Sequence, residues 1–208
     1  MDSIEGFILV GGQSRRMGAD KAELRLAGQS FVERIANELS AVTSSVKLVG
    51  GKPDTARINL QTVPDVFPAW GALGGVHAAI SACDAEWALV VACDFPFVTQ
   101  ALFTKLAGVR ADFEAVAPIQ GDGIVQPLCT LYRVDPCRRL AEQFIKSGER
   151  KPLALLQSVK TRWVPFDEVR GLKGADRFFD NINTPEDYLR ASEKGPTAHD
   201  VAMGSKED

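Results

Sequence analysis

The chain has no Cys-x-x-Cys pair, only two histidines, and no apolar run near the length of a membrane span. Each absence removes a class of protein. The four cysteines, Cys83, Cys93, Cys129 and Cys137, are scattered among apolar neighbours, which fits reduced thiols better than a disulfide framework. Zinc coordination lacks both the paired cysteines and the imidazoles it needs. Met1 to Val10 is too short and too acidic for a signal peptide, and a membrane helix needs about 20 apolar residues in succession. The expectation is a cytoplasmic protein that avoids membranes. An excess of positive charge is also missing. Lys and Arg number 24 against 27 Asp and Glu, a formal net charge of -3, so no overall basic field draws nucleic-acid phosphates. An anionic ligand must be held by a local cluster of cations.

What is present is an ordinary globular composition, 45% apolar and 25% charged over 208 residues, long enough to bury a core without covalent staples. Phe7-Ile8-Leu9-Val10 reads as a buried strand that stops at Gly11-Gly12 and enters a loop running to about Gln29. Ser30 and Glu33 then form a capping-box signature, followed by a helical stripe of Val32, Ile35, Ala36, Leu39 and Val42. Val46–Val49 is a second strand, Leu60–Val63 a third, and Trp87–Ala92 an unbroken apolar strand of the kind covered on both faces. Strand, helix and strand in this order imply a parallel sheet. Further on, a helix is expected near Thr99, strands at Glu114–Ala117, Leu128–Tyr132 and Arg162–Val164, a helix capped by Asp135, and a last helix from Thr184. One α/β domain over residues 1–193 is expected, with 194–208 a polar, disordered tail.

The richest stretch is Gly11-Gly12-Gln13-Ser14-Arg15-Arg16-Met17-Gly18-Ala19-Asp20-Lys21. Glycines directly after a strand let the backbone approach a ligand, and successive N–H groups can form an anion nest. Arg15, Arg16 and Lys21 add the cations a polyphosphate requires. The spacing is neither that of a P-loop nor of a dinucleotide fingerprint.

Other candidates follow along the chain. Asp65 closes the third strand ahead of a glycine-rich turn, Gly71-Ala72-Leu73-Gly74-Gly75, and reads either as a turn residue or as an acceptor for a base or ribose. Asp94 stands just past the apolar strand, at the sheet edge where α/β folds bind ligands, and Mg²⁺ favours one or two such carboxylates completed by phosphates and water. A helix cap is the plainer reading of the same residue. Asn181 and Asn183 flank one residue and point the same way if extended, and an Asn carbonyl is a legitimate hard-metal ligand. Thr184-Pro185-Glu186-Asp187 reads as a helix start. Cys93 reads as a small buried residue, and His77, on a helix face with Ala78 and Ile80, as a satisfied core residue. Gln126 and Pro127 read as a strand entry or as substrate contacts.

Leu9-Val10-Gly11-Gly12-x-Ser14-x-Arg16-Met17-Gly18-x-Asp20-Lys21 resembles the signature of the molybdenum cofactor guanylyltransferases. The Asp65 segment, Asp94-Phe95-Pro96 and Asn181–Asp187 match further family motifs in the same order, over roughly residues 8–187. Val10 departs from the family, which usually has Ala there. The resemblance implies a three-layer Rossmann-like nucleotidyltransferase fold with a mostly parallel sheet. It implies transfer of GMP from GTP to the phosphate of molybdopterin-bound molybdenum, with pyrophosphate released. By the same resemblance Leu9, Val10, Gly11, Gly12, Lys21, Asp65, Gly74 and Asp94 contact the nucleotide. Gln126 and Pro127 face the pterin, Lys21 and Arg16 act on the phosphates, and Asp94 and Asn183 hold Mg²⁺. It leaves room for transient contact with proteins that make or accept the cofactor. A cytidylyl- or sugar-phosphate nucleotidyltransferase on the same fold, and a non-catalytic nucleotide-binding adaptor, are the alternatives.

Overall fold

The structure is a computed structural model that describes residues 3–10, 24–50 and 59–193. The opening strand β1 is Ile4–Leu9, and β2 (Arg25–Leu26) pairs with β3 (Gln29–Ser30) as a small antiparallel hairpin. Helix α1 (Phe31–Ser40) follows directly. Its expected capping box is present: the Ser30 hydroxyl accepts from the Glu33 amide at 3.1 Å and the Ser30 amide donates to the Glu33 carboxylate at 2.5 Å. Then come β4 (Val46–Val49), β5 (Gln61–Val63), α2 (Gly71–Ser81), β6 (Trp87–Ala92) and α3 (Gln100–Gly108). The remainder is β7 (Ala115–Pro118), β8 (Cys129–Arg133), α4 (Val134–Lys146), α5 (Pro152–Ser158), β9 (Thr161–Val164) and α6 (Pro185–Glu193).

Seven strands form one sheet in the order β5-β4-β1-β6-β8-β7-β9. Every neighbouring pair is parallel except those made by β8, which runs against both β6 and β7. The alternation of the strands sorts the core into two layers. On one face Ile4, Ile8, Leu89 and Val91 pack with α1 and α3. On the other, Phe7, Ala88 and Val90 pack with α2, α4 and α5. Helix, sheet and helix make the three layers that the family resemblance implied, around the mostly parallel sheet. Among the described residues, no helix is long and apolar enough to cross a membrane. All four cysteines are buried and free, and burial pushes the thiols of Cys83, Cys129 and Cys137 up to about 12.

Four local readings change. The segment expected to be loop up to Gln29 contains the β2–β3 hairpin, whose turn uses Ala27 and Gly28 at positive φ. The glycine-rich stretch Gly71–Gly75 is the first turn of α2 rather than a free turn. This helix is buried between sheet and α4, and its residues from Leu73 to Ile80 are too uniformly apolar to show a stripe. Asp135 does not cap α4. Strand β8 runs straight into the helix at Val134, so Arg133 takes the cap position and Asp135 sits in the first turn, paired with Arg138 at 3.2 Å. Pro152 opens an additional helix, α5, at a position where its missing N–H costs nothing.

Candidate active site

The chain leaves β1 toward β4 and β5 on one side, then returns to β6 on the other. The carboxyl ends of β1 and β6 are therefore a topological switch point, the place where open α/β sheets form a crevice. Leu9 is in register with Ala92, and the Cys93 amide donates to the Leu9 carbonyl at 3.1 Å. Val10 is held to the other side, its amide donating to Val49 at 2.9 Å. Asp94 follows at once and is half-buried. The apolar strand before it is buried throughout, so its rigid end fixes the position of Asp94 at the crevice, with the carboxylate Oδ1 buried.

Three further segments converge on this edge. Gly50 ends β4 at φ +75°, and a Cβ there would stand 2.6 Å from the Val10 carbonyl and 3.8 Å from the Asp65 carboxylate. Only glycine fits, and the fit gathers the ends of β1, β4 and β5 with the exposed Asp65 among them. Because β8 is antiparallel, its start lies beside the end of β6: the Ala92 amide donates to the Leu128 carbonyl at 2.8 Å. Gln126 and Pro127 immediately precede it. The Gln126 amide side chain donates to Gln120, and the Gln120 side chain donates in turn to Asp122 at 2.7 Å. The Pro127 carbonyl accepts from the Tyr132 hydroxyl at 2.6 Å. The third segment is Asn181-Ile182-Asn183. Ile182 is buried against Leu26, Phe31 and Phe97, and its amide donates to the Asp94 carbonyl at 3.1 Å. That bond lays both Asn residues, each exposed, along the Asp94 loop.

The α6 start supports this arrangement. Asp187 accepts from the Asn183 amide at 3.1 Å and the Thr184 amide at 2.9 Å, while the Asp187 amide donates to the Thr184 hydroxyl at 3.1 Å. The Asn183 amide, foremost, holds the Asp187 carboxyl below the usual carboxylate range. Glu38 of α1 performs a similar service for α3, accepting from the Gln100 amide at 2.6 Å.

Of the residues singled out from the sequence, the described structure brings Leu9, Val10, Asp65, Asp94, Gln126, Pro127, Asn181 and Asn183 to one edge of the sheet. Gly74 is buried one turn into α2, and a Cβ there would press on the Trp70 side chain at 2.8 Å. Gly11, Gly12, Arg16 and Lys21 lie outside the described residues. His77 is buried in α2 with Phe67 edge-on at 5.0 Å and Ser81 Oγ at 3.4 Å from Nε2. Its Nδ1 has no hydrogen-bond partner among the described residues, so it is less satisfied than a core histidine usually is.

Two features have no counterpart in the sequence reading. The Arg150 guanidinium lies 4.5 Å from the centre of the Trp70 ring, and Arg150 donates to the Ala69 carbonyl at 3.2 Å. The Trp70 indole donates to the Glu149 carbonyl at 2.9 Å. This clamp ties the segment between Asp65 and α2, which contains Ala69 at φ +62°, to the turn between α4 and α5. The second feature is Arg177, stacked on Phe97. Both join residues some eighty positions apart, and no spacing rule reports such a contact.

A mostly parallel sheet with a carboxylate just past its switch point is the architecture of an α/β ligand-binding enzyme, and the comparisons make it a nucleotidyltransferase. The profile of the MobA-like NTP transferase domain matches residues 6–162, and the chain belongs to that family. It is 34% identical over 189 residues to a "probable molybdenum cofactor guanylyltransferase" of Pelotomaculum thermopropionicum, covering 89% of this chain and 90% of the relative. A molybdenum cofactor guanylyltransferase of Desulfosudis oleivorans is 30% identical, with 92% and 95% covered. Among solved structures, molybdopterin-guanine dinucleotide biosynthesis protein A from Archaeoglobus fulgidus superposes with a TM-score of 0.77 at 28% identity, covering 91% of this chain and 97% of that one.

Proposed function

We propose that this nucleotidyltransferase transfers GMP from GTP to the terminal phosphate of molybdopterin-bound molybdenum. An acceptor phosphate oxygen forms a bond to the α-phosphorus. The bond from the α-phosphorus to the bridging oxygen breaks, and its electron pair leaves with pyrophosphate. The acceptor is already ionised at neutral pH, so the protein's task is alignment and charge neutralisation rather than proton removal. The observation that carries the reading is Asp94 at the β1–β6 switch point, with the Asn181–Asn183 strip fastened to its loop by the Ile182 amide at 3.1 Å.

These residues suit Mg²⁺. The available donors are hard oxygens, and no group of three or more His, Cys, Asp or Glu side chains gathers among the described residues to form a protein-only cage. Magnesium typically takes one or two carboxylates and leaves the rest to phosphates and water. Asp94 and Asn183 are the residues we assign to it. The ion would supply positive charge at the α-phosphate. Gly11 and Gly12 are assigned to the triphosphate through their amides, Lys21 and Arg16 to the charge that develops on the leaving pyrophosphate, and Leu9, Val10, Asp65 and the α2 start at Gly74 to the nucleoside. Gln126 and Pro127, on the β8 side, are assigned to the pterin of the acceptor.

Pyrophosphate release tests the reading, assayed with GTP or CTP, with and without molybdenum-loaded molybdopterin, and with and without Mg²⁺. Release requiring GTP, the loaded acceptor and Mg²⁺ together is the expected result. Equal release with CTP would move the chain to the cytidylyl enzymes. Nucleotide-dependent thermal stabilisation without release under any condition would leave a binding adaptor.

A further inference from the structure

Arg177 carries a buried charge that the site described above does not use. Its residue is 8% exposed, and its guanidinium lies flat over Phe97 with 3.6 Å from the central carbon to the ring centre. The stack fixes the plane of the fork and hides one face. Its Nε and Nη2 atoms are buried and have no hydrogen-bond partner among the described residues. The Asp180 carboxylate comes to 3.5 Å from Nε, close enough to attract but too far for a good hydrogen bond, and it is 45% exposed. Buried polar groups are ordinarily satisfied, and a buried cation with donors to spare is costly. Nε and Nη2 together form the side-on edge of guanidinium, the pair of parallel N–H groups that matches two oxygens of a carboxylate or phosphate.

Arg177 is among the residues lining a cleft of about 260 Å³, with Asp180, Asn181, Ile182 and Arg190, and its Nε–Nη2 edge lies buried behind that lining, reached only if the Asp180 side chain moves. The volume is just below the roughly 300–1,000 Å³ that encloses a drug-sized ligand. It has room for a phosphate or diphosphate but not for a whole nucleoside triphosphate. Of the two carboxylates bordering the cleft, Asp187 is committed to the α6 start and to Arg190. Asp180 is the one able to swing away. Ile182 joins the cleft to the main site, since its amide is bonded to the Asp94 carbonyl.

We infer that Arg177 is a receptor for a phosphate group, taken on its Nε–Nη2 edge, with Asp180 as the movable carboxylate that yields to it. The choice of phosphate over carboxylate rests on the nucleotidyl-transfer reading; the test below does not need turnover. The group is either a phosphate of the nucleotide, later leaving as pyrophosphate, or the phosphate monoester of the acceptor.

The experiment is a thermal-shift titration of the intact protein with pyrophosphate, glycerol phosphate and GTP, applied to wild type, Arg177→Lys and Asp180→Asn. Lysine keeps the charge and the ring contact but presents a point charge in place of a fork. A charge-assisted hydrogen bond is worth about 1.5–3 kcal/mol, so binding should weaken about 10–100-fold in Arg177→Lys. Asp180→Asn should tighten binding severalfold. Loss confined to glycerol phosphate identifies the acceptor's phosphate; loss with pyrophosphate and GTP identifies the nucleotide's. Unchanged titrations in Arg177→Lys would overturn the assignment, and so would a wild type that responds to none of the three ligands. Weaker binding in Asp180→Asn would make Asp180 part of the site rather than its gate, which also defeats the proposal as stated. Should Arg177→Lys fail to fold, Asp180→Asn decides alone. Failure of GMP transfer with these phosphate shifts intact would sink the proposed reaction and leave the receptor standing.

Discussion

The two edges of the sheet are built from similar residues to opposite ends. At the amino edge, Lys47 donates to Glu5 at 3.0 Å and to the Ala82 carbonyl at 3.0 Å, Asp84 stands 3.6 Å away, and the Asp84 amide donates to Glu5 at 3.3 Å. Glu86 and Arg133 pair beside them at 2.8 Å. At the carboxyl edge Asp65, Asn181 and Asn183 are exposed and Asp94 is half-buried. Charge at the amino edge is consumed by the fold, whereas at the carboxyl edge the Asp65 carboxylate stands exposed. An edge of loops following parallel strands can offer side chains and amides to a ligand, while the opposite edge only has to close.

The comparison is broken most severely by exchanging the roles. Asp94→Asn should cut turnover by roughly 10²–10³-fold, the loss typical of removing one transition-state charge stabiliser, with no fall in melting temperature. Lys21→Ala should behave alike. A folded Asp94→Asn protein of near-normal activity removes Asp94 from the chemistry. Glu5→Ala should do the reverse. It takes one partner from a pair whose side chains are each 11% exposed. The cost should be about 3 kcal/mol, the low end for breaking a buried pair, because Asp84 still compensates Lys47. Urea unfolding measures that loss, and turnover per folded molecule should not change. Although burial alone would lower it, the Lys47 pKa is raised by Glu5 and then Asp84. The contribution linked to Lys47 ionisation is therefore complete at neutral pH and is lost as pH rises through the folded value, above the ordinary 10.5.

A smaller test sits between the edges. Arg150→Ala removes the contact of the exposed Arg150 with the half-buried Trp70 and the exposed bond to the Ala69 carbonyl. An exposed cation–π contact is worth about 0.5–1 kcal/mol, so KM for the nucleotide should rise about two- to fivefold with kcat unchanged. An equal change in kcat would place Arg150 in the chemistry instead of behind the Asp65 segment.

How much of this was legible before folding depended on the range of the interaction. The capping box at Ser30 and Glu33 lies within one turn, and it reads directly from the residues. So does the apolar run from Trp87 to Ala92, whose burial on both faces placed Asp94 at the sheet edge. Asp135 misled because the same Asp-Pro pair serves as well inside a first turn as at a cap, and only the direct run of β8 into α4 decides between them. Of helix α2 only the face carrying His77, Ala78 and Ile80 was legible, because burial erases the polar side of the stripe and the glycines hide its start. The Trp70–Arg150 and Phe97–Arg177 contacts depend on how distant turns pack, so neither member carries a local signal. The family motifs reached residues 11–23, which the described structure does not cover, so the roles of Gly11, Gly12, Arg16 and Lys21 rest on the sequence.

The smallest expected effect distinguishes the two edges from the layer between them. His77 is buried between Phe67 and Ser81, and burial, with a smaller push from Arg138 and against the opposing pull of Glu142 on α4, lowers its pKa below the ordinary 6.5. The unfolded chain therefore binds a proton near pH 6 that the folded chain refuses. Stability should be full above the unfolded value and should decline as pH falls through it. His77→Leu removes the titrating group while keeping the apolar contacts, so it should lose less stability than wild type between pH 7.5 and pH 5.5. Urea midpoints at the two pH values measure the difference, and the comparison is between slopes, so a changed baseline from the lost Ser81 contact does not disturb it. Equal slopes in the two proteins would mean that acid acts through carboxylates elsewhere, with Glu33, Glu168 and Asp187, all held below their usual range by hydrogen bonds, the first to test.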